Sequence, residues 1–189
     1  MLDTEPNSPV QIRFGGYGGQ GIVLAGTLLG KAASLYDGKE AVFTQAYGPE
    51  ARGGASRADV IIADQAIEYP YVTQPDVLVA LFQEAYTLFG GQLKPGGVLI
   101  VEEDLVRLGD SAPPASLLPA TRMAEELGNR IVTNVVVLGF LVGRTGVVSR
   151  EAAERALRAT IKPGALDLNL RAFDAGFARA TAREAAPES

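Results

Sequence analysis

Apolar positions along this chain follow two rhythms. Val10, Ile12 and Phe14 alternate with polar neighbours, which predicts a strand with one face in a core, and Ile22, Ala25, Leu29, Ala32 and Tyr36 then recur at helical spacing. Between them lies Gly15-Gly16-Tyr17-Gly18-Gly19-Gln20-Gly21, so the segment reads as strand, glycine turn, helix. Short apolar runs predict further strands over 41–46, 58–63, 77–81 and 98–102, mostly separated by helix-length or loop segments. Buried, largely parallel sheets carry that pattern. A helix is predicted over 83–89, and Lys94-Pro95-Gly96-Gly97 turns the chain into the strand at 98–102. Ala112-Pro113-Pro114 and Pro119 read as a connector, followed by a short helix over 123–127. Ser149 reads as the N-cap of a helix through 159, with Glu151 in its first turn. Leu166, Leu170, Phe173 and Phe177 give the last helix one apolar stripe, read as core packing in preference to a partner groove. The expected fold is α/β: a single doubly wound, Rossmann-like domain over 10–180, with a largely parallel sheet and helices on both faces. Disordered ends are expected over 1–9 and 181–189.

Composition narrows the chemistry. The chain has 189 residues, enough for one domain with a substantial core, and 47% of them are hydrophobic, which points to a subunit interface. A formal net charge of −5 and the lack of a long Lys/Arg run disfavour nucleic acid as a partner. There are no cysteines and no histidines, which removes disulfides, cysteine-ligated iron–sulfur clusters, Cys/His zinc sites, Cys nucleophiles and Ser-His-Asp triads together. Residues 1–10 lack both a basic n-region and an apolar h-region, so a cytoplasmic location is expected. The longest apolar stretch, 131–142, is too short to span a bilayer and is interrupted by Thr133 and Asn134.

Two motifs carry candidate chemistry. Gly16 to Gly21 satisfies G-x-G-x-x-G in the right context, after a strand and before a helix whose first N–H groups attract anions. A nicotinamide site would also need an acidic residue at the carboxyl end of the second strand to hold the ribose hydroxyls, where this chain has Thr44, Gln45, Ala46 and Tyr47. Glu40 lies at the wrong end of that strand. A dinucleotide site is therefore the weaker reading, with plain packing of the turn beside it. The second motif is Tyr47-Gly48-Pro49-Glu50-Ala51-Arg52-Gly53-Gly54-Ala55-Ser56. Its glycines let the backbone approach a ligand, Arg52 supplies a guanidinium, and Ser56 adds a hydroxyl. A phosphate or carboxylate cradle and a surface turn closed by a Glu50–Arg52 ion pair fit the loop equally well.

Other features read more plainly. Gly30-Lys31 is followed by Ala32 inside the first helix, so it is no phosphate-hydrolysing loop, and Gly109-Asp110-Ser111 lacks the rest of a diphosphate–magnesium motif. Glu102, Glu103 and Asp104 read as solvated strand-end acids in preference to a magnesium site. Glu68-Tyr69-Pro70-Tyr71-Val72 reads as either a binding lip, an intersubunit patch or simple loop packing, and Asn134 as a helix cap.

Taken together, 16–22, 47–56, Tyr69-Pro70, Asp76 with Leu78-Val79-Ala80, Gly96-Gly97, Asn134 with Leu138-Gly139, and Asn169 with Ala172-Phe173 and Gly176 resemble the gamma subunit of 2-oxoacid:ferredoxin oxidoreductases, most closely the 2-oxoglutarate type. The resemblance runs from about residue 10 to 178, and the first two motifs in that order carry its specificity. One departure is Asn134-Val135, where related chains often read Asn-Met; it bears on subtype. The resemblance implies a doubly wound domain with no catalytic residue, metal or cofactor of its own. It implies alpha and beta subunits that bind thiamine diphosphate with Mg, an iron–sulfur subunit bearing 4Fe-4S clusters, coenzyme A as co-substrate, and ferredoxin reduced by the complex. Gly18, Gly19, Gln20, Gly21, Arg52, Gly53, Gly54 and Ser56 are then expected to face the active-site cleft, near phosphates of coenzyme A or a neighbouring subunit.

Overall fold

The computed structural model describes residues 8–46 and 55–184. Among them, six strands form one sheet in the order β2-β3-β1-β4-β5-β6: β1 (Val10–Tyr17), β2 (Glu40–Ala46), β3 (Ala55–Ala63), β4 (Val77–Ala80), β5 (Val98–Glu102) and β6 (Ala115–Leu118). The helices are α1 (Ile22–Lys31), which continues into a π turn over Ala32–Tyr36, then α2 (Gln83–Phe89), α3 (Ala120–Glu126), α4 (Thr133–Thr145), α5 (Arg150–Thr160) and α6 (Pro163–Glu184). β1 pairs in parallel with β4, β4 with β5, and β5 with β6. β3 runs antiparallel to both β1 and β2, so among the described strands the other five share one direction.

Side chains alternate across the strands, and the two faces bury different things. Ile12, Phe14, Val60, Val77, Val79 and Ile100 join a large apolar cluster with α1, α3, α4, α5 and α6. Leu78, Ala80, Leu99 and Val101 face the other way, onto a small cluster built around Ala85 and Phe89 of α2. α4 is apolar on nearly every side and is buried from Asn134 through Val142, as a helix enclosed by its own protein must be. α6 lies against it at very short range. A Cβ on Gly139 would overlap the Phe173 carbonyl, and one on Gly176 would overlap the Val136 carbonyl, so both glycines exist to let two backbones touch.

Helix α5 begins as its sequence predicts: the Ser149 Oγ accepts from the Ala152 N–H at 3.1 Å, and Ser149 itself donates twice to the Asp37 carboxylate. In α6, Phe173 is fully buried, with Leu170 and Phe177 packed on the core, which bears out three positions of the apolar stripe; Leu166 is half-buried at its start. α6 also continues to Glu184, four residues into the stretch expected to be disordered from 181. The strand β6 replaces part of the expected connector. Four residues between Pro114 and Pro119 suffice for an edge strand, where the missing proline N–H groups cost least. No helix among the described residues is long and apolar enough to cross a membrane.

Candidate functional site at the carboxyl edge of the sheet

The parallel strands end together at one edge, and the glycine turn stands there. β1 extends through Tyr17, three residues further than its alternation predicts, and the chain turns at Gly19 (φ 98°) and Gly21 (φ 72°) into α1. Gly21 occupies the N-cap in a left-handed conformation, and a Cβ on it would come within 2.6 Å of Asn134 Nδ2. That position requires glycine twice over. Asn134 is not the cap expected from its place in the sequence. Val132 precedes α4 as its N-cap, and Asn134 instead donates from Nδ2 to the Gly21 carbonyl at 3.1 Å, tying α4 to the turn.

Gln20 braces the same turn. Its Oε1 accepts from the Tyr17 N–H at 2.8 Å, and its Nε2 donates to the Leu81 carbonyl at 2.9 Å, at the end of β4. With both ends of the amide engaged inside the chain, Gln20 shapes the turn. The first turn of α1, Ile22-Val23-Leu24, contains no acid, and among the described residues no side chain caps it or neutralises its positive end.

The second motif reaches the same edge through the antiparallel strand. In the β1–β3 register, Tyr17 faces Ala55 and Gly16 faces Ser56, so the chain enters β3 directly beside the glycine turn. Ser56 is buried at that junction. Arg52, Gly53 and Gly54, with the rest of 47–54, lie outside the described residues. The fold thus brings Ala46, which precedes the second motif, its last residues Ala55 and Ser56, and the whole of the first motif to one edge.

This topology also decides against a dinucleotide crevice. The strand next to β1 on that side is β3, antiparallel, with β2 displaced to the sheet margin. The ribose-binding acid of a dinucleotide fold belongs at the carboxyl end of a parallel neighbour of β1. Glu40 pairs with Ala63, at the far end of β3 from Ser56, as its position in the sequence implies.

Glu102 departs from the expectation of a solvated strand-end acid. It is 1% exposed, its Oε2 accepts from both the N–H and the Oγ1 of Thr121 at the start of α3, and its Oε1 has no hydrogen-bond partner among the described residues. Burial pushes its carboxyl above the ordinary value, opposed by the Thr121 hydrogen bonds. Glu103 and Asp104 do reach the surface, and both pair with Arg122. No group of three or more His, Cys, Asp or Glu able to hold a metal occurs among the described residues.

Residues 11–179 match the sequence model of a family described as pyruvate ferredoxin/flavodoxin oxidoreductase. The chain belongs to that family. Within this oxidoreductase family it is 51% identical over 174 residues to the 2-oxoglutarate synthase subunit KorC of Methanothermobacter marburgensis, covering 88% of this chain and 94% of that one. Among solved structures, the keto/oxoacid ferredoxin oxidoreductase gamma subunit from Geobacter sulfurreducens PCA superposes with a TM-score of 0.85 at 45% identity, covering 93% of this chain and 98% of that chain. A 2-oxoglutarate:ferredoxin oxidoreductase from Magnetococcus marinus, solved with 2-oxoglutarate, coenzyme A and succinyl-CoA bound, superposes at 0.84 with 26% identity; the match spans 98% of this chain but 32% of that longer polypeptide. The near end-to-end matches place the chain among the family's gamma subunits.

Proposed function

We propose that this chain is the gamma subunit of a 2-oxoglutarate:ferredoxin oxidoreductase, which converts 2-oxoglutarate, coenzyme A and oxidised ferredoxin to succinyl-CoA, carbon dioxide and reduced ferredoxin. On this reading alpha and beta subunits hold thiamine diphosphate with Mg, an iron–sulfur subunit holds 4Fe-4S clusters, and the complex works in the cytoplasm. This chain packs on the active-site subunits and assists coenzyme A binding and closure. The absence of cysteine and histidine fits that division of labour, since this sequence offers a cluster no thiolate or imidazole ligands. In the Magnetococcus marinus protein a domain of this fold makes up 32% of one polypeptide. A separate chain of the same kind needs non-covalent surfaces in place of that linkage.

The observation that carries the reading is the register that sets Gly16 beside Ser56 at the carboxyl edge. It sets a helix start that no side chain caps among the described residues beside the end of an arginine- and glycine-containing loop, at an edge where open α/β sheets bind ligands. Gly18, Gly19, Gly21, Arg52, Gly53 and Gly54 supply backbone N–H groups and a guanidinium for a phosphate-bearing ligand, while Gln20 and the buried Ser56 hold the turn and the strand in place. Ile131 stands 77% exposed at the entry to α4 near this edge, an apolar group for an active-site subunit to cover.

The test is purification of the tagged chain from its own cells, followed by coenzyme-A-dependent reduction of a viologen dye with a panel of 2-oxoacids. Co-purifying thiamine and iron–sulfur subunits with activity toward 2-oxoglutarate are expected; a solitary, inactive chain would overturn the reading. In the active complex, Arg52→Ala is expected to raise the KM for coenzyme A with assembly intact. An unchanged KM removes the ligand role, and loss of the complex assigns the loop to a subunit interface.

A further inference from the structure

At the opposite end of the sheet, the segment joining β3 to β4 carries two tyrosines that the candidate site does not use. Tyr69 and Tyr71 are 60% and 57% exposed, and their rings meet edge to face with centroids 5.5 Å apart and planes at 65°. They border a cleft of about 380 Å³ whose walls include Gln11, Ile61, Ala63 and Glu68. Among the described lining residues the charged side chain is that of Glu68.

The tyrosines stand on an anchored stretch of backbone. Next to Tyr71, the Val72 carbonyl accepts from Nη2 of the buried Arg13 at 3.0 Å, and the Thr73 N–H donates to Gln11 Oε1 at 2.9 Å. Two hydrogen bonds to consecutive residues fix the backbone that presents the Tyr71 ring. An exposed aromatic pair that is already ordered loses little freedom when a partner covers it, which is the property of an interface hot spot.

We infer that Tyr69, Tyr71 and Glu68 form a docking cleft for an arginine side chain of a partner subunit. The faces of both rings are electron-rich, and the nearby carboxylate is the complementary charge for a guanidinium. An apolar partner side chain would instead bury the Glu68 carboxylate and two phenol hydroxyls without providing a donor. The cleft lies at the start of β1, roughly 25 Å along an eight-residue strand from the glycine turn. It is thus a contact separate from the candidate ligand edge, and it rests on the reading of the chain as a subunit.

The experiment uses the complex co-purified through the tagged chain, with its subunits identified, and compares dissociation constants for wild type, Tyr71→Phe, Tyr71→Leu and Glu68→Gln. Tyr71→Leu is expected to weaken assembly about tenfold, while Tyr71→Phe, which keeps the ring, stays near wild type. Glu68→Gln is expected to weaken assembly at low salt and to have a smaller effect at high salt. Equal behaviour of the Leu and Phe variants would overturn the cleft and leave the subunit reading standing. A tagged wild-type chain that binds no partner subunit overturns both. As a second arm, a benzophenone photo-crosslinker incorporated at position 69 is expected to capture a partner segment that contains arginine; capture of a segment without arginine would also overturn the cleft.

Discussion

The two faces of the sheet are held by different physics. On one, strands and five helices share a continuous apolar cluster, and α4 and α6 approach so closely that glycines are required at the contact. On the other, a small cluster around α2 surrounds a buried ion pair: Arg13 Nε and Nη2 each donate at 2.8 Å to the Asp59 carboxylate. Arg13 also donates to Gln92 Oε1 and to the Val72 carbonyl, and its guanidinium lies 5.2 Å from the centre of the Phe89 ring. The large face can lose a methylene and still bury most of its apolar surface. The small face depends on a few directed bonds, each needing its partner. The difference teaches where this fold is tolerant: graded to loss of bulk on one side, and intolerant of losing one member of a pair on the other.

The largest effect should come from forcing bulk into the α4–α6 crossing. Gly176→Leu sets a side chain where the Val136 carbonyl lies, and the backbone on both sides prevents relief by a rotamer change. We expect a loss of at least about 4 kcal/mol, enough to leave little folded protein. The check is urea denaturation against Gly164→Leu, a position near the start of the same helix with open space around it. Equal destabilisation by both would mean that the close crossing is not what holds α6 to the core.

Next comes the ion pair. Asp59→Ala leaves the Arg13 guanidinium buried without its carboxylate, an expected cost of about 3 kcal/mol. Replacing both partners, Arg13→Met with Asp59→Leu, should recover most of that loss, because the apolar pair removes two desolvated charges together. A double variant no more stable than Asp59→Ala would show that the Gln92 and Val72 contacts of Arg13, not its charge, dominate this face.

The same contrast explains what could be read from the sequence. The large face follows the periods of its elements: alternation in β1, apolar runs in β3, β4 and β5, and helical spacing in α1 and α6 all place their residues on it. Arg13 and Asp59 are 46 residues apart and become neighbours only through the antiparallel register of β1 and β3, which no local period announces. β6 escaped because four residues between prolines carry too little pattern. The antiparallel course of β3 also depends on pairing, not on period. At the candidate site, the glycine turn and the start of α1 were legible from spacing, because positive φ and a helix start are local demands. Asn134 was misread for the opposite reason: a side chain near a helix start usually caps it, and here it reaches 113 positions back to Gly21. Gly139 and Gly176 were visible as residues, but their task appears only when two helices are laid together.

Glu102 tests the comparison from the side where a charge is least expected. It lies two residues beyond Ile100 on the same side of β5, so its carboxyl belongs to the large apolar face, where it meets Thr121 at the start of α3. Asp59 is met by a guanidinium; Glu102 is met by Thr121 at one oxygen and by no partner among the described residues at the other. Burial therefore raises its folded-state pKa above the unfolded value, and the folded chain holds the proton more tightly. The stability that follows from this is fully present below the unfolded pKa and is lost as pH rises through the raised folded one. Glu102→Gln keeps an oxygen to accept from Thr121 and removes the titration. The difference in Tm between wild type and variant should then turn against wild type as pH climbs through that window, and level off above it. This is the smallest of the three effects, since the hydrogen bonds from Thr121 oppose the desolvation. A difference that does not change with pH would mean that Glu102 titrates in the folded chain as it does in the unfolded one, and that water reaches its second oxygen.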